Sequence, residues 1–196
     1  MTTVTQAPVE TTQAPVETKT IWDIDPTHSL VEFSVRHMMV SNVKGRFGGI
    51  TGRIESYGDR VADATVDVEI DASTIDTRTE QRDAHLRSPD FLDVEKYPKI
   101  TFKSTRLEDY GDGTFDIVGN LTIRDVTKEV TLHAEDNGRG QSPFGTYVAG
   151  FSATTSINRQ DFGAKWNVAI ETGGFVVSDT LKITLEVEAV RQQADS

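Results

Sequence analysis

Apolar and polar residues alternate along most of the chain from Ile21 onward. Between residues 62 and 70 every second side chain is apolar, and the positions between them hold Asp63, Thr65, Asp67 and Glu69. A period of two is typical of a β-strand with one buried face, because successive side chains point to opposite sides. The same alternation recurs at 29–38, 100–102, 115–123, 130–134, 147–153 and 181–189. The pattern predicts eight or nine half-buried antiparallel strands.

Glycine-rich turns separate several of these strands, as in Tyr110-Gly111-Asp112-Gly113 and Asn137-Gly138-Arg139-Gly140. Such residues tolerate the positive φ that tight hairpin turns require. Short connections between alternating strands predict an all-β fold with an up-and-down antiparallel sheet. A closed eight-stranded barrel and a two-sheet sandwich would both show this pattern; the barrel is favoured, and its interior would suit side chains or one small ligand.

One charged segment, TRTEQRDAHLRSPDFLD at 77–93, interrupts the strand pattern. Thr77 and Glu80 match a capping box, which predicts a helix that begins after Thr77 and ends near Arg87. Ser88-Pro89 predicts a second short helix, because proline is favoured at the first helical position.

A cationic stripe lies on the first of these helices. Arg78, Gln81, Arg82 and His85 fall on one face at 100° per residue. This stripe either pairs with the chain's carboxylates or faces the polar head of a ligand. Asp83 points to another side, so it forms a poor acid–base pair with His85.

Charge and composition exclude several classes of function. The formal net charge is −11, with 31 acidic and 20 basic residues, so nucleic acid and anionic membranes are not expected partners. No cysteine is present, which removes disulfides, thiol catalysis and cysteine-based zinc sites. The four histidines are too scattered for a metal motif, and the sequence contains no phosphate-binding loop or serine nucleophile motif. We therefore expect no metal, no cofactor and no catalytic residues.

The amino terminus repeats TQAPVET at 5–11 and 12–18. Two short copies cannot bury a face, so residues 1–19 are expected to be a disordered or extended tail. Residues 20–191 are expected to form one barrel domain, and 192–196 a carboxyl-terminal tail. No apolar signal region precedes Lys19, and no apolar run approaches the ~20 residues that cross a bilayer, which predicts a cytoplasmic protein without a membrane span.

Aromatic residues are concentrated on the predicted strands and in one late loop. They form either an ordinary core or the wall of an apolar slot for an elongated ligand. With one aliphatic neighbour, the predicted pore-lining residues are Phe33, Val35, Phe47, Phe102, Phe115, Tyr147, Phe151, Phe162 and Trp166.

Four blocks of the sequence resemble the YceI-like polyisoprenoid-binding family. They are DPTHSLVEFSVRHMMVSNVKGRFGGITG (25–52), IDTRTEQRDAHLRSPDFLDVEKYPKITFKS (75–104), GNLTIRDVTKEVTL (119–132) and INRQDFG (157–163). The resemblance covers about residues 21–190 and implies a lipocalin-like barrel whose apolar pore holds a long isoprenoid chain, with a helix or two near the opening. Leu92 departs from the pattern, because a second aromatic residue usually follows the position of Phe91.

The resemblance also directs attention to polar residues near the barrel mouth. As candidates for contact with a lipid head group or the mouth we take His28, His37, Arg78, Arg82, His85 and Phe91. The leading hypothesis is a non-catalytic carrier or store for an isoprenoid lipid, such as a polyprenyl phosphate or isoprenoid quinone. An enzyme using His85, Asp83 or His37, and a β-sandwich interaction module with a solid core, are the alternatives. Exposed strand edges would also be compatible with a homodimer.

Overall fold

The computed structural model describes residues 18–57, 60–169 and 175–193. Most of the predicted amino-terminal tail and residues 194–196 therefore lie outside the described residues. The strands in the described part are β1 (Lys19–Ile24), β2 (Leu30–His37), β3 (Ser41–Phe47), β4 (Ile50–Tyr57), β5 (Arg60–Asp71), β6 (Lys99–Asp109), β7 (Thr114–Ile123), β8 (Val126–Gln141), β9 (Tyr147–Asn158) and β10 (Val177–Arg191).

The strands form one antiparallel sheet that closes on itself. Neighbouring strands follow the order β1-β4-β5-β6-β7-β8-β9-β10, and β10 pairs back onto β1. β1 and β2 follow one another along one line of the sheet, and β3 and β4 return along the neighbouring line. Together they form one long hairpin, which is interrupted at 25–29 and 48–49. Counting each interrupted pair as one strand, the predicted eight-stranded barrel is confirmed, and the sandwich alternative is wrong.

Alternation along each strand separates the interior from the outer surface. Val66 and Ile70 of β5 are buried. On the outer face, Asp67 pairs with Lys103 at 3.6 Å and Glu69 with Lys99 at 2.5 Å. Exposed pairs of this kind contribute little to stability, so burial of the apolar face is the main driving force.

The two ends of the barrel are built differently. At the end we call the helix end, residues 72–98 connect β5 to β6, and residues 159–176 connect β9 to β10. The first connection contains a 3₁₀ turn at Ala72–Thr74 and α1 at Glu80–Arg87; the second begins with a 3₁₀ turn at Arg159–Phe162. At the opposite end, the hairpin end, short turns join β6 to β7 and β8 to β9, and β1 begins and β10 ends. No helix among the described residues is both long and apolar enough to cross a bilayer.

Helix α1 begins later than the capping box predicts. Its first residue is Glu80 and its N-cap is Thr79, whose side chain makes no capping hydrogen bond. Arg78 has a φ of 63°, in the left-handed region, so the helix cannot start at that residue. The hydroxyl of Thr77 donates instead to Asp83. The predicted second helix after Ser88 is also wrong, because the chain forms hydrogen-bonded turns there.

A substitution at Gly52 of β4 would test how tightly the barrel wall is packed. A Cβ at Gly52 would lie 2.5 Å from the Asp67 carbonyl oxygen and 2.9 Å from Ile24 Cδ1. We expect Gly52→Ala to lower the free energy of unfolding by about 1–3 kcal/mol, because a backbone atom cannot easily move away. Gly140→Ala is the matched control, since nothing lies within 4 Å of its Cβ. Urea unfolding of both variants measures the effect, and equal stabilities would contradict this packing.

Candidate functional site

An apolar cavity of about 350 Å³ occupies the barrel interior. All strands contribute to its lining, which extends from Leu92 at the helix end to Arg139 and Arg191 at the hairpin end. Its volume lies within the usual range for small-molecule sites, about 300–1,000 Å³. The interior is therefore an elongated space that side chains do not fill.

Six of the predicted pore residues lie on the cavity wall: Phe33, Phe47, Phe102, Phe115, Tyr147 and Phe151. Val35, Phe162 and Trp166 are not among the lining residues that the structure describes. Phe162 is 2% exposed and packs in the core at the helix end. Whether any of these residues contacts a ligand stays a prediction.

An aromatic cluster covers part of the helix end. The His85 ring lies 5.1 Å from that of Phe91 and 4.9 Å from that of Trp166, both nearly perpendicular to it. His85 Nε2 is also 2.9 Å from Asp90 Oδ2. These contacts join the β5–β6 and β9–β10 connections, which together we call the cap (residues 72–98 and 159–169). His85 is thus a packing element of the cap.

Arg82 and Asp83 fix the start of α1 rather than facing the cavity. Asp83 is 4% exposed, and its carboxylate accepts hydrogen bonds from the backbone N–H of Thr77, at 2.9 Å, and from the Thr77 hydroxyl. Arg82 Nε donates to Thr77 Oγ1 at 2.7 Å, and its Nη2 donates to the Thr77 carbonyl at 2.8 Å. Because these donors and acceptors satisfy one another, the pair stabilises the left-handed turn at Arg78.

Arg159 is the centre of the second half of the cap. The residue is 6% exposed, and it donates to the carbonyls of Ser178 at 2.9 Å, Trp166 at 3.0 Å, and Ala164. Burial lowers the pKa of the Arg159 guanidinium, and the charge of Asp179 opposes that shift. A guanidinium presents five donors in a rigid plane, so one side chain can hold several segments of irregular backbone.

None of the six predicted head-group residues is in the described cavity lining. Arg78 is exposed before α1, and His37 ends β2 at the helix end. His28 lies outside the barrel in the β1–β2 connection. Arg82, His85 and Phe91 belong to the cap. Contact of these residues with a head group stays a prediction, and the cavity geometry does not favour it.

His28 joins two carboxylates on the outer surface. Its Nδ1 lies 2.9 Å from Asp25 Oδ2 and 3.7 Å from Glu188 Oε1. The donor types could hold a metal ion, and one ligand atom from each residue lies within 4.8 Å of the others. Hydrogen bonds from Thr27 and then from His28 lower the pKa of Asp25 to about 2.

Polar residues that sequence reasoning missed line the hairpin end. They are Thr20, Ser56, Arg139 and Arg191, next to the predicted Tyr147. Arg191 could have been found, because it continues by one step the inward alternation that runs from Leu181 to Ala189. The inward position of Arg139 could not be predicted from the sequence, because a bulge between Asp136 and Gly138 shifts the alternation of inward and outward side chains in β8.

Comparison with known proteins places the fold and its family. A family model described as the YceI-like domain matches residues 22–189. A UPF0312 protein of Shewanella denitrificans is 38% identical over 170 residues, which make up 87% of this chain and 86% of the relative.

Solved structures agree with the family match. The Campylobacter jejuni YCEI protein gives a TM-score of 0.69 at 32% identity, over 81% of this chain and 90% of that chain. A polyisoprenoid binding domain from Saccharophagus degradans gives a TM-score of 0.62 at 16% identity, over 87% of this chain and 98% of that chain. At this lower identity the second likeness supports the fold alone.

Removal of the Arg159 guanidinium should loosen the cap. We expect Arg159→Met to lower the free energy of unfolding by about 2–4 kcal/mol, because three buried or partly buried carbonyls lose a donor. Amide hydrogen exchange should also accelerate in residues 163–169. Arg106→Met is the control with the same charge change, since Arg106 is 54% exposed and its ion pairs with Glu108 and Glu129 lie on the surface. Equal stability and exchange in both variants would exclude this role.

The cluster at His28 predicts a pH dependence. The hydrogen bond to Asp25, followed by the Asp25 and Glu188 charges, raises the pKa of His28 above 6.5. This contribution to stability is fully present below the unfolded pKa, about 6.5, and is lost as pH rises through the raised folded pKa. NMR titration should show that Asp25→Asn lowers the pKa of His28 more than Glu188→Gln does. A His28 pKa at or below 6.5 in the unmodified protein would refute the assignment.

Proposed function

The chain belongs to the YceI-like domain family, and from that membership and the cavity we propose that it holds a long isoprenoid lipid in its barrel as a non-catalytic carrier or store. The observation that carries the proposal is the apolar cavity along the barrel. Burial of apolar surface contributes about 25 cal/mol per Å². A long hydrocarbon chain can therefore bind tightly there without a strong polar anchor.

The proposal takes its class of ligand from the description of a protein that shares the fold. The domain from Saccharophagus degradans that shares the fold is described as polyisoprenoid binding. Polyprenyl phosphates and isoprenoid quinones both combine a long branched apolar chain with a compact polar head. Either would suit an elongated cavity with polar residues at one end.

The lining chemistry favours binding over catalysis. Among the described lining residues, neither a carboxylate nor a histidine is present. An enzyme with His85, Asp83 or His37 as acid or base would need two such groups on the cavity wall. The interaction-module alternative predicted a filled interior, so the cavity also counts against it. A cytoplasmic location and a homodimer stay predictions.

Purification from the native host without detergent provides the direct test. Native mass spectrometry should detect one isoprenoid lipid per chain, and organic extraction should release it for identification. A protein without lipid that also fails to take up added polyprenol and polyprenyl phosphate would overturn the proposal.

A variant that obstructs the cavity adds a structural control. Ala153 of β9 lines the cavity and pairs with Ala134 of β8 and Leu185 of β10. We expect Ala153→Phe to reduce lipid uptake at least about tenfold, because its ring would occupy the space of the ligand. Thr154→Phe adds the same ring at the adjacent exposed position and should leave uptake unchanged. Equal uptake by both variants would place any lipid outside the barrel.

A further inference from the structure

The hairpin end of the cavity differs chemically from the rest of its wall. Arg139 and Arg191 are the only charged side chains among the described lining residues, and both are cationic. The positive charge of this end is opposite in sign to the formal net charge of the whole chain, which is −11. Both arginines are solvent-exposed as well as cavity-lining, which places them where the interior meets solvent.

Arg191 has no carboxylate partner among the described residues. It is the last residue of β10 and pairs with Trp22 of β1. Its guanidinium carbon lies 4.8 Å from the centre of the Tyr147 ring, which orients the group through a cation–π contact. Its hydrogen-bond donors are therefore available for a ligand.

Arg139 has one carboxylate partner. Its Nη2 lies 3.0 Å from Asp136 Oδ2. Arg139 thus has a carboxylate partner, whereas Arg191 carries a positive charge without a protein counter-ion among the described residues. A bound anion would complete the charge balance.

Further polar groups lie at the same end. Trp22 Nε1 donates to Ser56 Oγ at 3.4 Å, and the rings of Trp22 and Tyr147 lie 6.0 Å apart. Thr20 also lines the cavity there, and the Tyr147 hydroxyl has no hydrogen-bond partner among the described residues. Hydroxyl donors beside two guanidinium groups suit a phosphate better than a neutral carbonyl.

We propose that Arg139, Arg191 and Tyr147 bind the anionic head of the lipid, a phosphate or diphosphate ester, at the hairpin end. This inference rests on the proposed function. The isoprenoid chain then extends from these residues toward Leu92 at the helix end. The head group occupies the end opposite to Arg78, Arg82 and His85.

A competition between two lipids of equal chain length tests the inference. Polyprenyl phosphate and the corresponding polyprenol are offered together, and native mass spectrometry measures the ratio bound. We expect the unmodified protein to favour the phosphate by about tenfold or more. Arg139→Gln with Arg191→Gln should bring this ratio close to one and retain polyprenol binding.

The matched control removes two arginines at the helix end. Arg36→Gln with Arg78→Gln changes the net charge equally, and both side chains are exposed. It should keep the preference for the phosphate. Protection from phenylglyoxal gives a readout without mutation: polyprenyl phosphate should protect Arg139 and Arg191 in the unmodified protein, whereas polyprenol should not.

The outcomes separate the two proposals. Failure of both lipids to bind the unmodified protein would reject the proposed function. Three results would reject the head-group site and leave the lipid-binding function standing. They are binding of both lipids without a preference, loss of the preference only in the helix-end variant, and an absence of protection at Arg139 and Arg191.

Discussion

β1 and β10 pair over three residues, and this short ladder turns an open sheet into a ring. The partners are Trp22 with Arg191, Asp23 with Val190, and Ile24 with Ala189. Ala189 is fully buried and Ala149 is 1% exposed, so small side chains let the wall pack closely beside this seam. Closure gives β1 a partner on both sides and encloses the apolar faces around a common axis, while β3 keeps an edge on which the only described pairing is the bridge from Arg46 to Asp76. Because the interior is wider than the side chains that line it, the same closure produces the cavity.

Arginine side chains have different tasks at the two ends of this ring. At the helix end, four arginines donate to backbone carbonyls of the cap, and they are Arg82, Arg87, Arg124 and Arg159. Buried carbonyls outside helices and strands need such donors, since an unsatisfied one destabilises the fold by about 1–3 kcal/mol. At the hairpin end, the described turns after β6 and β8 contain their own backbone hydrogen bonds, so Arg139 and Arg191 are not needed to support them. Arginines are therefore available for a ligand at the end of the barrel where no irregular backbone needs their hydrogen bonds.

Strand pattern and fold class were readable from the sequence because alternation reports directly which side chains are buried. The ends of the barrel were not readable in the same way. Alternation assigns a residue to a face, but it does not say whether that residue lies near a cap or near an opening. Several residues that carry the family resemblance, among them Asp83, His85, Arg159 and Phe162, are used to build the cap. A left-handed residue at Arg78 and a bulge before Arg139 depend on tertiary contacts that local pattern does not encode.

Selectivity and affinity would have different physical origins in such a barrel. Burial of hydrocarbon adds free energy in proportion to chain length and is the same for every head group on that chain. Discrimination between lipids of equal length must therefore come from polar contacts at one end. The overall negative charge does not prevent this, because exposed charges farther away than a Debye length of about 8 Å are largely screened at physiological ionic strength. An arginine at the opening with no acidic partner among the described residues can thus determine which head group is retained, while the apolar wall determines how tightly the chain is held.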